Sequence, residues 1–169
     1  MESISPERRG ELIRSTRHYL KLELRDNYQV DRDLLSAWRR DPSEVLAGPA
    51  LAWRDRVVLD LSEGRSWRRL RVVSEPLSEY HKFAYEFAGP GVEAGEQMRY
   101  LPRRLTSAIP LPGNDCFVLD GRTVMFNVLD GDNQRVDIQL TTDPDVVKFC
   151  TDTFETAWTL AVPYAEYHP

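Results

Sequence analysis

A chain of 169 residues, 41% of them hydrophobic, is long enough to bury one sizeable core and of ordinary length for a single domain. Two cysteines make no disulfide framework and are expected to stay reduced as core thiols, and no apolar run reaches the length of a membrane span. The net charge is −5, with 15 Lys and Arg against 12 Asp and Glu in residues 1–71 and 7 against 15 in residues 72–169; because most bases have acidic neighbours, direct nucleic-acid binding is not expected.

The N-terminal stretch MESISPERRGELIRSTRH has charges where a secretory signal needs an apolar centre, so a cytoplasmic, soluble protein is expected. From Arg8 the chain is helical in character, with Leu12, Ile13, Tyr19 and Leu20 loosely on one side, until KLELRDNYQV turns to alternation and reads as a strand or a helix end. VDRDLLSAWRRDP predicts a short helix opened by Asp31, with Leu34, Leu35 and Trp38 at helical spacing, stopping near Pro42. GPALAWRDRVVLDLSEG predicts another, with Leu51, Val57, Val58 and Leu61 toward a core and Gly64 as its end signal.

After Gly64 the period changes. RRLRVVS is short and rich in branched residues, which predicts a strand over 69–73. Ser74 is expected to cap the following helix, with Glu75 at its positive end, Pro76 in its first turn, and Leu77, Tyr80, Ala84 and Phe87 on one face. GPGVEAG reads as a turn, lacking the strand and helix order that a dinucleotide loop requires. EQMRYLPRR predicts a strand over 97–101 ended by Pro102. CFVLDGRTVMFNVLDGDNQRVDIQL reads as three antiparallel strands with turns at Asp120–Gly121 and Asp130–Asn133. Asp143 and Pro144 then open a helix with Val147, Cys150, Phe154, Ala157, Trp158 and Ala161 in one stripe. The sum is a single α/β (α+β) domain, mainly helical over about 1–64 and sheet-containing over about 65–169. Its sheet is mixed and mostly antiparallel, with a C-terminal three-strand meander and flanking helices.

The segments LELRDNY, RRLRVVSEPLSEY, AGEQMRYLPRR and GNDCFVLDGRTVMFN, followed by Ala-Trp near the end, resemble in this order an uncharacterised actinobacterial family of domains of unknown function. Members of that family are commonly encoded beside helix-turn-helix regulators. The resemblance therefore implies a noncatalytic regulatory or protein-interaction role with such a regulator as partner. The order of elements is also similar to that of noncatalytic relatives of phospholipase D. The catalytic members carry His-x-Lys, whereas His81 and Lys82 are adjacent here and point about 100° apart on a helix.

Other chemistry finds little support. His18, His81 and His168 are scattered and lack metal-ligand spacing with Cys116 or Cys150, so neither a metal nor a cofactor is expected. Cys116 inside an apolar strand reads as an inert thiol. What stands out is a set of charged and polar residues at element ends: Arg69, Arg71, Glu75, Tyr80, Glu96, Arg99, Arg103 and Asp115. They admit two readings. In one, Arg71 and Arg99 pair with Glu75, Glu96 or Asp115 across the sheet. In the other, the arginines line a pocket for a small anionic ligand, as in a sensor or in an enzyme using Glu96 or Asp115 as general base.

Overall fold

The computed structural model describes residues 1–168. Eight strands form one sheet in the order β1-β7-β6-β5-β2-β3-β4-β8. They are β1 (Glu2–Ser3), β2 (His18–Glu23), β3 (Ser66–Val73), β4 (Gln97–Pro102), β5 (Asp115–Leu119), β6 (Thr123–Leu129), β7 (Arg135–Thr141) and β8 (Val162–Pro163). Strands β2, β3 and β4 run parallel, and every other pairing is antiparallel. The meander β5–β6–β7 turns where positive φ is available, at Asp120 (48°), Gly121 (64°) and Asn133 (60°).

Six helices cover the two faces: α1 (Pro6–Ser15), α2 (Arg32–Arg40), α3 (Pro42–Ala47), α4 (Pro49–Ser62), α5 (Glu79–Glu93) and α6 (Pro144–Leu160). Helix α6 lays Val147, Cys150, Phe154 and Ala157 on Leu22, Leu70, Val72 and Val118 of one face. Asp143 starts it by accepting the amides of Asp145 and Val146, and Pro144 suits the first turn. On the other face α1 and α4 cover Tyr19, Trp67, Phe117 and Met125. There α5 sets Ala88 against Val73, Met98 and Tyr100, while α2 and α3 close over α5 through Leu35, Val45, Tyr80 and Phe83.

The first 64 residues are mainly helical, and they also supply β1 and β2, with β2 between β5 and β3 in the sheet. Three expectations are corrected. Ser74 caps no helix: its amide and hydroxyl both go to the Asp26 carboxylate, at 2.8 and 2.6 Å. Helix α5 instead begins at Glu79, where Ser78 accepts the His81 amide. GPGVEAG is not a turn, because α5 runs through Pro90 to Glu93 and Gly95 (φ 115°) ends it. Finally, Val58 lies 53% exposed because the buried side of α4 carries Ala50, Val57 and Asp60.

Candidate functional site

Alternation along β2 sends Tyr19, Lys21 and Glu23 to the face under α1, α4 and α5, and Leu20 and Leu22 to the α6 face. Parallel register places Arg69 beside Lys21 and Arg71 beside Glu23. Antiparallel register places Phe117 beside Lys21, and Asn127 beside Asp115 at the start of β5. Strand β2 has β3 parallel on one side and β5 antiparallel on the other. A cavity of about 270 Å³, the volume of about nine waters, lies over this face of β2 and β3. Its floor is the charged stripe of the sheet. Its walls are Trp53 of α4 and Phe83, Ala84, Phe87 and Ala88 of α5, and its rim includes Val30, Leu34, Leu129 and Arg135.

The floor is an interlocked set of ion pairs. Glu23 accepts from Lys21 Nζ at 2.5 Å and from Arg71 Nε at 2.5 Å, with Arg69 Nη1 4.0 Å away. Arg71 Nη1 also donates to the Ala84 carbonyl at 3.2 Å, tying β3 to α5. Glu96, which precedes β4, accepts the indole N–H groups of Trp53 (2.8 Å) and Trp67 (3.1 Å) and forms an ion pair with Arg69, whose Nε lies 2.8 Å away without hydrogen-bond geometry. Burial alone would raise the Glu23 carboxyl; Arg71, Lys21 and Arg69 overcome it and hold it well below the usual carboxylate range. Burial lowers the Lys21 ammonium, and Glu23 opposes that shift.

Asp115 behaves differently. It accepts the Leu24 amide at 2.8 Å and the Tyr28 hydroxyl, yet burial raises it to about 6 against those bonds. Arg9 of α1 lies 5.3 Å over the Phe117 ring and donates Nε to Asn127 Oδ1 at 3.3 Å. Burial and the neighbouring Arg135 lower it to about 10. Neither Arg9 nor Arg135 belongs to an ion pair among the described residues. Buried charges cost desolvation that hydrophobic residues would avoid, so a cavity floored with them is weak as a stability device and typical of a functional site.

Of the residues singled out in the sequence, Arg69, Arg71, Tyr80, Glu96 and Asp115 meet at this cavity, Tyr80 donating its hydroxyl to Asp31 at 2.6 Å. The other three lie elsewhere. Arg99 is on the α6 face, where Nη1 donates to the Trp158 carbonyl at 2.9 Å and the guanidinium sits 4.7 Å from the indole centroid. Arg103 ties together Ser74, Asp26 and the Leu24 carbonyl. Glu75 bonds to Arg104 and to the Tyr167 hydroxyl. The pairings expected for Arg71 and Arg99 are therefore corrected. Arg71 pairs with Glu23, and Arg99 meets no carboxylate among the described residues because it faces away from the others across the strand.

Sequence reasoning missed Lys21, Glu23, Arg9, Tyr28, Trp53 and Asn127. A signal existed for two of them: in YLKLE the charges are in phase with Tyr19, which predicts a shared face. Gly91 gave another, since a Cβ there would meet the Trp53 ring at 2.8 Å and Glu96 Oε2 at 3.0 Å, so only glycine lets α5 close on this wall. Among the described residues no three of His, Cys, Asp and Glu converge as metal ligands. Cys116 and Cys150 are buried in the opposite core.

Fold and site together define a single-domain α+β protein with a charged cavity between the face of β2 and β3 and the helices α4 and α5. Residues 7–169 match the family described as Domain of unknown function (DUF6879), and the chain belongs to that family. No curated protein matches the chain.

Proposed function

We propose that the protein is a noncatalytic ligand-sensing domain, which holds a small anionic molecule in the cavity and works with a DNA-binding helix-turn-helix regulator. The observation that carries the ligand half is the cavity itself, a partly open cleft with more cations than carboxylates around it. The regulatory half draws on the resemblance to actinobacterial proteins encoded beside such regulators. The noncatalytic half draws on commitment of the acids: Glu23 and Glu96 are each engaged in ion pairs with Lys21, Arg69 or Arg71. Any phospholipase D-like kinship is of the noncatalytic kind. His81 is sealed from solvent with Nε2 3.1 Å from the Arg25 carbonyl, where no phosphodiester reaches.

A second reading is favoured by one group. Asp115, buried in the cleft and raised to about 6, has the properties of a general base, and the guanidinium groups beside it would act as electrophilic clamps.

The test is ligand-observed NMR of the purified protein with a mixture of small organic acids, repeated on Leu34→Trp and Leu129→Trp. Both positions line the rim, and a larger side chain there fills the entrance without touching the ion pairs. Saturation transfer to acids with the wild type, lost in both variants, is the expected result; no transfer, or equal transfer in all three proteins, would refute it. Consumption of a bound acid that stops in Asp115→Asn, with binding retained, would replace the sensor by the enzyme.

A further inference from the structure

We infer, building on the ligand-binding reading above, that the cavity takes a monoanionic acid with a flat apolar body, its anionic group held by Arg9 and Arg135 and its body lying against α5 and Trp53. Three observations converge on this class. First, the charges around the cavity do not cancel. Arg9, Lys21, Arg69, Arg71 and Arg135 face Glu23, Asp31, Glu96 and Asp115, an excess of one positive charge that a monoanion neutralises and a dianion overshoots.

Second, the excess has an address. Lys21, Arg69 and Arg71 already bind Glu23 or Glu96, whereas Arg9 and Arg135 repel each other and belong to no ion pair among the described residues. Arg9 is also held in place, by Phe117 beneath its guanidinium and by Asn127 at Nε. That leaves its remaining N–H donors for an incoming acid. Third, the wall opposite the sheet is apolar. Phe83 and Phe87 of α5 form one aromatic surface with ring centroids 5.7 Å apart, flanked by the small Ala84 and Ala88, and the indole edge of Trp53 is fixed by Glu96. The small residues beside that surface leave room for a flat body, and a cavity of about nine waters suits one or two fused rings.

The experiment measures dissociation constants by calorimetry for four probes: indole-3-acetate, its neutral amide, the cation tryptamine, and inorganic phosphate. The acid is expected to bind, the amide to bind about tenfold more weakly through loss of one charge-assisted contact, and tryptamine and phosphate to bind too weakly to detect. Arg9→Gln should weaken the acid about tenfold and leave the amide unchanged. Arg135→Gln, at an exposed position at the start of β7, should act in the same direction. An amide as good as the acid, phosphate stronger than the acid, or acid binding untouched in both variants would overturn the orientation and the monoanion while leaving the cavity a ligand site. Failure of all four probes to bind would overturn this proposal, and the ligand-sensing reading falls with it only if the mixture of small organic acids also shows no saturation transfer.

Discussion

Replacing Arg71 with alanine removes the guanidinium that joins β2, β3 and α5. The side chain is 7% exposed and Glu23 8% exposed, and their contact is a 2.5 Å hydrogen-bonded ion pair. Breaking a buried pair from one side costs about 3–5 kcal/mol, mostly because the partner is left charged in a poor solvent. Here Glu23 keeps Lys21 at 2.5 Å, so the cost belongs at the low end, about 3 kcal/mol. That corresponds to a melting temperature lower by about 6–12 °C for a domain of this size. Denaturant unfolding monitored by tryptophan fluorescence reads the midpoint, and Glu23→Gln in the Arg71→Ala background should recover part of the loss, since it removes the stranded charge. Arg99→Ala should cost less, about 1–2 kcal/mol, because it forfeits a bond to the Trp158 carbonyl and a contact with that ring but strands no carboxylate. An unchanged midpoint for Arg71→Ala, or a larger loss for Arg99→Ala, would refute this accounting of the buried network.

Stability against pH should show two opposed contributions. Asp115 is raised to about 6 in the fold, so the native state holds its proton more tightly and stability from this group falls as pH rises from about 4 through 6; Asp115→Asn should remove that fall. His81 is lowered to about 4 by burial and by Arg71, so its contribution is present above its unfolded value near 6.5 and is lost as pH falls toward 4; His81→Gln should flatten that limb. Gly91→Ala drives a methyl into Trp53 and Glu96, and should cost about 1–3 kcal/mol by urea unfolding while displacing the Trp53 indole signal in NMR. At about 150 mM salt the protein should bind random duplex DNA no better than micromolar in fluorescence anisotropy, since its bases are interleaved with acids.

Much of the architecture was legible because local chemistry and tertiary structure agree. Branched residues with turn signals marked β3 and the meander, and Asp143–Pro144 marked the start of α6. Disagreement arose where a distant residue intervened. Ser74 looked like a helix cap until Asp26, 48 positions earlier, took both of its donors. GPGVEAG looked like a turn because glycine and proline usually mark one, but α5 tolerates the loss of a single N–H at Pro90 and needs Gly91 to let Trp53 approach.

The site was half legible for a related reason. Arginines at 69 and 71 alternate with Leu70 and Val72, and such a pattern ordinarily means one buried and one solvated face. Only the packing of α1, α4 and α5 over the charged face turns it into an interior, and that packing is invisible to periodicity. Lys21 and Glu23 were overlooked because a short alternating stretch could equally end a helix. Arg99 shares with Arg71 only its place near an element end; the pleat sends it to the other side of the sheet.

The chain has four tryptophans, and their indole N–H resonances report separately on the two faces of the sheet. Trp53 lines the cavity, whereas Trp158 packs beneath Arg99 on the α6 face. Titrating the ¹⁵N-labelled protein with indole-3-acetate should shift the Trp53 indole signal in a saturable manner and leave the Trp158 signal in place. No shift at Trp53, or a shift centred on Trp158, would contradict the claim that the charged cavity between the sheet and α5 is the ligand site.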